Sequence, residues 1–274
     1  MRRSFDGLLL LATVVALTYL LLPLVALFVR VAPGELVGAL GREEVHEALL
    51  VSLKTSVIAH LVVLVVGTPV AYLLGTRRFR GRELVVTLVE LPLVLPPAVA
   101  GIGLLAAFGA RGLLGDSFAA LGIEIPFTQA AVVLAIVFVA SPFYVRQGIA
   151  AFAAVDPTLI DASRTLGAGP AKTFFRVALP LAAGGLAAGS SLAFARGLGE
   201  FGATILFAGS FPGETRTAPL AIYAELDRSF ESALALGVLL VLASVALLLI
   251  VKLLTSWTLF DWTSRSPSVA STSS

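Results

Sequence analysis

The chain has 274 residues, of which 58% are hydrophobic and only 13% charged, and its mean hydropathy is +1.00. Soluble domains carry about a quarter charged residues, so this composition indicates an all-α protein that crosses a membrane several times and contacts lipid. A net charge of +2, with no basic stripe interleaved with aromatic residues, argues against nucleic-acid binding. The absence of cysteine excludes disulfides and thiolate metal sites, and His46 and His60 lie too far apart for a metal-ligand spacing.

Apolar runs predict about six membrane spans, because a helix needs about 20 mostly apolar residues to cross the hydrocarbon core. The predicted spans are 7–29, 50–75, 84–108, 127–150, 178–207 and 231–255. The first run resembles a signal peptide, but it is longer than a usual apolar signal region and lacks a convincing cleavage site. We therefore expect it to be retained as a span.

Lysine and arginine alternate between the two sets of loops, which predicts the orientation since these residues concentrate on the cytoplasmic side. The predicted cytoplasmic set is Arg2, Arg3, Arg77, Arg78, Arg80, Arg82, Arg146, Arg164, Lys172, Arg176, Lys252 and Arg265. The opposite loops carry few bases and most of the acidic residues. Both termini are then cytoplasmic. We expect one transmembrane domain over residues 1–260 and a disordered, serine-rich cytoplasmic tail over 261–274.

The third predicted span contains the unusual stretch "ELPLVLPPAVAGIG", which starts at Glu90 and includes Pro92, Pro96 and Pro97. Proline inside a helix frees a backbone carbonyl and bends the axis. Non-helical backbone at membrane depth is tolerated where protein or a water-filled path covers it. This span is predicted to line a pathway, with Glu90, Pro92 and Pro96 as candidate pathway or gate residues; the alternative is a kink that serves packing alone.

The fifth predicted span carries Arg196 and Glu200, four residues apart on one helical face. Ionisable groups at membrane depth are costly unless they are paired or face water, so the two are expected to form an intrahelical pair. The pair either fixes helix packing or belongs to a gate, and Glu90 has the same two interpretations. An acid does not attract a divalent anion, so Glu200 would position Arg196 rather than bind substrate.

Two further features of the spans concern packing. Gly185 and Gly189 form a small-xxx-small pattern that lets helix backbones approach closely, either within the chain or in a dimer. His60 is expected to be a hydrogen-bonded core residue rather than a proton relay.

A mixed polar and apolar segment, about 155–180, lies on the predicted cytoplasmic side between the fourth and fifth spans. Asp156 can cap a helix whose first residue is Pro157, and Gly167 can close it in the left-handed conformation. Leu159, Ile160 and Leu166 give this short helix an apolar stripe at spacings compatible with one face, which requires something to pack against. A plain solvated loop is the alternative.

The motif "GAGPAKT" within this segment invites comparison with a phosphate-binding loop. Such a loop needs glycine immediately before the lysine and another glycine five residues earlier, where this chain has Ala171 and Leu166. No strand is predicted before it. We therefore expect no ATP site, no catalytic residue, and no cofactor bound by this chain.

The segment resembles the EAA loop of type I ABC importer permeases, whose pattern is E-A-A, three residues, Gly, nine residues, and I-x-L-P. The spacing matches throughout, with Asp for Glu, Ser for the second Ala, and Val177 for Ile as small departures. The resemblance implies a cytoplasmic coupling helix that docks on a separate ATPase subunit. The residues assigned to this coupling are Asp161, Ala162, Ser163, Leu166, Gly167, Leu179 and Pro180.

Four segments resemble the molybdate branch of these permeases: "ELPLVLPPAVAGIGLL" from Glu90, "SRTLGAG" from Ser163, "AFARGLGEFGATILF" from Ala193, and "FPGETRTAPLAIYAEL" from Phe211. The resemblance implies import of molybdate, with tungstate as a further possibility, by alternating access in the cell membrane. It implies a homodimer, two ATPase subunits that use ATP and Mg, and an extracytoplasmic molybdate-binding protein.

Two alternatives stay open at this point. Sulfate and thiosulfate permeases share the general architecture and the Gly-Glu-Phe-Gly region, so that region does not separate the oxyanions. An ion-coupled secondary transporter would use Arg196, Glu200 and Glu90 as relay groups. Such transporters are usually built from internal repeats, which the sequence does not display.

Overall fold

A computed structural model describes residues 2–263, and all regular structure in that range is helical. The helices are α1 Arg2–Arg30, α2 Pro33–Leu40, α3 Glu43–Thr76, α4 Arg82–Val94, α5 Pro97–Phe108, α6 Gly115–Ala120, α7 Gln129–Ala153, α8 Pro157–Thr165, α9 Pro170–Thr173, α10 Leu179–Leu198, α11 Gly202–Ala208, α12 Ala218–Leu226 and α13 Phe230–Thr263. A π-helical turn over Phe174–Ala178 joins α9 to α10.

Five helical stretches in this range are long and apolar enough to cross a membrane, and the bent pair α4 and α5 makes a sixth if it counts as one span. The predicted number is therefore confirmed. Large apolar side chains point outward along α1, where Leu8, Leu20 and Leu22 are exposed. An apolar surface of this extent is unusual for a soluble protein and is what lipid contact requires.

The predicted fifth span, 178–207, was wrong at both ends. The continuous helical run begins at Pro170 and ends at Leu198, and residues 202–208 form the separate helix α11. Gly199 closes α10 because glycine weakens a helix interior, and the next residue, Glu200, supports the start of α11 with its side chain.

The last span also extends beyond its predicted end, since α13 includes the first three residues of the predicted tail, 261–263. The rest of that tail, 264–274, lies outside the described residues.

Helix α7 is the centre of the fold, with α3 and α10 packed along it and in contact with each other. Small residues make this close approach possible. A Cβ atom added at Gly148 would lie 2.7 Å from the Ala71 Cβ, and one at Gly185 would lie 2.5 Å from the Ala151 Cβ. The small-residue pattern on α10 therefore serves packing against α7 within the chain.

His60 of α3 lies in this packed core. Its Nε2 is 2.9 Å from the Ser190 Oγ on α10, and its ring meets Phe194 edge-on at 5.1 Å. The predicted role as a hydrogen-bonded core residue is confirmed. A polar contact at this depth helps hold α3 to α10 since apolar side chains gain little from leaving lipid.

The proline-rich stretch bends the third span by 115° between α4 and α5. Pro92 lies inside α4, whereas Leu95 and Pro96 have extended backbone at the break. The residue before a proline is disfavoured in the helical conformation, which places the break before Pro97. Helix α11 packs on α5, so closely that a Cβ at Gly101 would lie 2.8 Å from the Ala203 carbonyl oxygen.

Candidate coupling segment and translocation residues

Helix α8 forms as its end signals predict. The Asp156 carboxylate accepts a hydrogen bond from the Thr158 backbone N–H at 2.9 Å, and Pro157 is the first helical residue. That backbone hydrogen bond lowers the pKa of Asp156 because it favours the charged carboxylate. Gly167 has φ +81°, and its N–H donates to the Arg164 carbonyl oxygen at 2.9 Å. The predicted cap and the predicted glycine closure are both confirmed.

The predicted apolar stripe on α8 is divided between two faces. Ile160 is buried, whereas Leu159 is 47% exposed and Leu166, just after the helix, is 88% exposed. Leu159 and Ile160 are adjacent in sequence and point about 100° apart, while Leu159 and Leu166 are two turns apart and share a side. Ile160 thus fixes the helix to the protein, and the two leucines remain available on its outer side.

The other candidate coupling residues lie on or beside this outer surface. Asp161 and Ala162 are exposed, and Asp161 forms an ion pair with Arg164 at 3.5 Å. Ser163 is half-buried, and its hydroxyl is 3.1 Å from the Thr173 hydroxyl, which is buried. Side chains on α8 therefore divide into an outer polar and apolar surface and an inner anchor.

The segment after α8 connects it firmly to the membrane helices. Phe174, the first residue of the π-helical turn, packs edge-on against Tyr72 of α3 with ring centroids 4.8 Å apart, and it also contacts Phe152 of α7. Leu179 and Pro180 then form the first turn of α10. Single π-helical turns interrupt the regular ladder and recur at functional positions. This arrangement links the segment after α8 to α3 and α7 through side-chain contacts and to α10 through a continuous helical run.

Glu90 and Arg146 form an ion pair between α4 and α7, with Arg146 Nε 3.5 Å from Glu90 Oε1. Sequence reasoning missed this partner, since it counted Arg146 only among the cytoplasmic bases. A base within the last two turns of an otherwise apolar helix was the signal that could have identified it. The pair is partly exposed, so its contribution to stability is small.

Arg196 and Glu200 also form an ion pair, with 2.8 Å between Arg196 Nη2 and Glu200 Oε2. The prediction of a pair is confirmed, but its intrahelical placement was wrong because α10 ends at Leu198. The Glu200 carboxylate is buried, and its second oxygen accepts a hydrogen bond from the Ala203 backbone N–H at 2.8 Å. Glu200 therefore joins the end of α10 to the first turn of α11. Arg196 is partly exposed, with 29% of its side chain accessible.

The two ion pairs remain separate: among residues 2–263, no hydrogen bond or salt bridge connects Glu90 and Arg146 to Arg196 and Glu200. They are related through backbone packing instead. Glu200 holds α11, α11 packs on α5, and α5 follows the bend after Pro96. The candidate residues are thus distributed along one connected set of elements rather than gathered in a single cluster.

Buried hydroxyls form a further polar feature that sequence reasoning missed. The Ser52 hydroxyl of α3 accepts a hydrogen bond from the Ala218 backbone N–H at 2.7 Å and so fixes the start of α12. The Thr204 and Thr217 hydroxyls are buried and have no hydrogen-bond partner among the described residues. Serine and threonine are common in membrane helices, so residue type alone did not identify these buried hydroxyls.

Comparison with known proteins identifies the class. Residues 67–259 match the family described as "Binding-protein-dependent transport system inner membrane component". The match covers more than half of the chain, and the chain belongs to this family. Together with the five or six candidate spans, it makes the chain a multi-pass membrane protein.

Three relatives with high identity are permease proteins of molybdenum transport. The chain is 42% identical over 241 residues to the molybdenum transport system permease protein ModB of Mycobacterium tuberculosis, covering 87% of this chain and 90% of that protein. It is 43% identical to ModB of Escherichia coli K12, over 77% and 92% of the two chains. A probable molybdenum ABC transporter permease protein of Haloferax volcanii is 39% identical, over 92% and 91%.

Solved structures confirm the fold. A bacterial alginate ABC transporter in complex with a periplasmic protein bound to an alginate pentasaccharide matches with TM-score 0.78 and 18% identity, over 94% of this chain and 96% of that one. The MetNI methionine ABC transporter matches with TM-score 0.57, over 78% and 94%. At these identities the likeness extends to the architecture alone, which is that of ABC importer permeases.

Proposed function

We propose that this chain is the membrane-spanning permease subunit of an ATP-driven ABC importer that carries molybdate, and also tungstate, into the cell. The observation that carries the proposal is the similarity to molybdenum transport permeases of bacteria and an archaeon at about 40% identity over most of both chains. The family match and the molybdenum permease relatives do not favour an ion-coupled secondary transporter. No observation favours sulfate or thiosulfate.

The working assembly is a homodimer of this chain with two ATPase subunits and an extracytoplasmic molybdate-binding protein. ATP and Mg belong to the ATPase subunits, and this chain supplies the path through the membrane. Both termini lie in the cytoplasm, as the distribution of basic residues favours. The proposed assembly has support in an importer structure of the same fold that contains a periplasmic protein.

Helix α8 is the proposed contact with the ATPase. Its outer side offers Leu159 and Leu166 as exposed apolar side chains next to Asp161 and Arg164, which suits docking into a groove with an apolar floor and polar rim. Its inner side is fixed by Ile160 and by the Ser163 contact with Thr173. A helix held in this way moves with the membrane helices instead of bending alone.

Transport by alternating access requires that motion at α8 reach the membrane interior. A continuous set of contacts supports such transmission: α8 meets the π-helical turn, α10 follows it, and Glu200 joins α10 to α11, which packs on the bent α5. The ATPase can favour one state only if its affinity for α8 differs between the inward-open and outward-open conformations. Coupling carried by packed elements of this kind is a physical route between distant sites.

Arg196 is the proposed contact for the oxyanion on its passage. Its guanidinium keeps donors beyond the one engaged by Glu200, and the side chain is partly accessible. Arginine presents several N–H donors in a rigid fork that matches tetrahedral oxyanions. The buried carboxylate holds this fork in place, and it prevents permanent capture of the anion since it neutralises part of the positive charge.

Uptake of labelled molybdate into proteoliposomes tests the proposal. The vesicles contain this chain, its ATPase and its binding protein, with ATP inside and excess sulfate as competitor. ATP-dependent uptake that sulfate does not suppress is expected. Suppression by sulfate, with labelled sulfate itself carried, would move the substrate to the sulfate branch, and uptake without ATP would overturn the ABC assignment.

A further inference from the structure

A basic cleft lies at the turn between α3 and α4. Four arginines, Arg77, Arg78, Arg80 and Arg82, occur within six residues of this turn. The cleft has a volume of about 680 Å³ and lies between the turn, the end of α7 and the start of α8. Its lining includes Arg77, Arg78, Arg82 and Glu83 as the charged residues, together with Phe79, Phe152, Pro157 and Ile160.

The charged side chains of the cleft differ in whether they have partners within the chain. Arg82 donates from Nε to the Leu74 carbonyl oxygen at 2.8 Å, and its Nη1 pairs with Glu83. Arg77 and Arg78 make no salt bridge within residues 2–263. Three arginines therefore face one glutamate, and the two unpaired guanidinium groups give the cleft an excess of positive charge.

The position of the cleft points to lipid as the source of its ligand. Helix α3 is an apolar membrane helix that ends at Thr76, directly before the arginines. On the other side of the turn, Leu84 and Leu88 of α4 are exposed and apolar. The arginines thus lie at the end of a membrane helix and beside an apolar outer face, where headgroups and acyl chains meet. Basic residues in this position on the cytoplasmic side attract anionic lipids.

We propose that this cleft binds the phosphate headgroup of an anionic phospholipid of the inner leaflet, with Arg77 and Arg78 as its ligands. Guanidinium groups bind phosphate oxygens with paired N–H donors, and an apolar wall beside them accommodates the start of an acyl chain. A freely soluble phosphate compound shares the headgroup chemistry but has no acyl chain that would contact the apolar wall.

The site also has a consequence for coupling. Pro157 and Ile160, at the start and on the anchored side of α8, form part of the same cleft. A bound headgroup would connect the α3–α4 turn to α8 and restrict the position of the coupling helix. If α8 couples to the ATPase as proposed above, a tighter connection between α8 and the membrane helices makes them move together, so anionic lipid is expected to raise the coupled ATPase rate, whichever oxyanion the transporter carries.

The test uses the assembled transporter in nanodiscs of phosphatidylcholine with or without phosphatidylglycerol. Native mass spectrometry measures retained phosphatidylglycerol, and ATP hydrolysis in the presence of loaded binding protein is measured in parallel. Arg78→Gln is expected to weaken lipid retention about tenfold, the effect of losing a charge-assisted hydrogen bond to a phosphate oxygen, and Arg77→Gln to act similarly. Arg80→Gln is the matched control, since Arg80 belongs to the same turn but does not line the cleft.

The outcomes distinguish a specific lipid site from diffuse surface charge and from a site for a soluble phosphate compound. Loss of lipid and of its stimulation in Arg78→Gln, with both retained in Arg80→Gln, supports the proposal. Equal effects of the two variants would overturn it and indicate diffuse surface charge. A wild-type complex that retains no phosphatidylglycerol would also overturn it. Glycerol 3-phosphate that stimulates equally in phosphatidylcholine discs would assign the cleft to a soluble phosphate instead.

Discussion

Gly167 offers the sharpest test of the coupling segment, because its role depends on backbone conformation alone. Its φ of +81° lies in the left-handed region, and a Cβ atom at this position would meet no atom within 4 Å. Any loss of stability at this helix end on substitution by alanine therefore comes from conformational strain rather than from a clash within the chain. The cost of a residue with a Cβ in that region is about 1–2 kcal/mol, which corresponds to a factor of roughly 5–30 in the population of the native helix end.

We expect Gly167→Ala to weaken binding of the ATPase by up to that factor, since Leu166 and the end of α8 would leave the geometry that docks. Gly167→Asn should be nearly as good as glycine because asparagine tolerates the left-handed conformation. Gly167→Glu adds a negative charge beside the docking surface and should bind least well. The assay is titration of purified ATPase against the permease in nanodiscs.

Gly169→Ala is the matched control for this series. Gly169 is two residues away, has φ −67°, and also has open space around its Cα, so alanine there is unstrained. Insertion and thermal stability of each variant are measured alongside. The reasoning is refuted if Gly167→Ala binds the ATPase as the wild type does, or if Gly169→Ala loses as much affinity as Gly167→Ala.

Three other predictions follow from the described contacts. Gly101→Ala should destabilise the protein by about 1–3 kcal/mol, measured by thermal unfolding in detergent, because its Cβ would press on the Ala203 carbonyl oxygen; Gly103→Ala, with open space, should not. The double variant Arg196→Gln with Glu200→Gln leaves no unpaired buried charge, so it should assemble with the ATPase yet lose most molybdate uptake; normal uptake would restrict the pair to a structural role. The hydrogen bond that lowers the pKa of Asp156 stabilises α8 above the unfolded carboxyl pKa of about 4, and this contribution is lost as the pH falls through the lowered folded value. The hydrogen-exchange protection factors of α8, which are corrected for the intrinsic pH dependence of exchange, should therefore fall with acid in the wild type but change less in Asp156→Asn; identical pH dependence of the two would contradict the cap assignment.

The bend of the third span shows how far local sequence can predict this structure. Pro92, Pro96 and Pro97 predicted an interrupted helix, and the break before Pro97 follows from local sterics. The angle of 115° and the cover supplied by α11 did not follow, because they depend on which helix packs against the exposed backbone. The pathway role of this stretch stays a prediction.

The end of the fifth span illustrates the opposite case. The mostly apolar run across Gly199 and Gly202 was interpreted as one span, so the predicted span extended beyond Leu198. The helix ends there because the Glu200 carboxylate binds the Ala203 N–H, and the start of α11 fits against Pro97 with no room for a side chain at Gly202. The first cause is a local capping contact that hydropathy does not register, and the second is tertiary because Pro97 belongs to α5.

The sequence by itself determined the features that depend on neighbouring residues or on average composition. Long apolar runs specify membrane helices, basic residues favour an orientation, and Asp156, Pro157 and Gly167 define α8 through its own backbone hydrogen bonds. Only the tertiary structure decided which polar groups meet. It placed Arg146 beside Glu90, divided Leu159 from Ile160, and brought the α3–α4 arginines against α8, because contacts between residues far apart in the chain arise only when the helices pack.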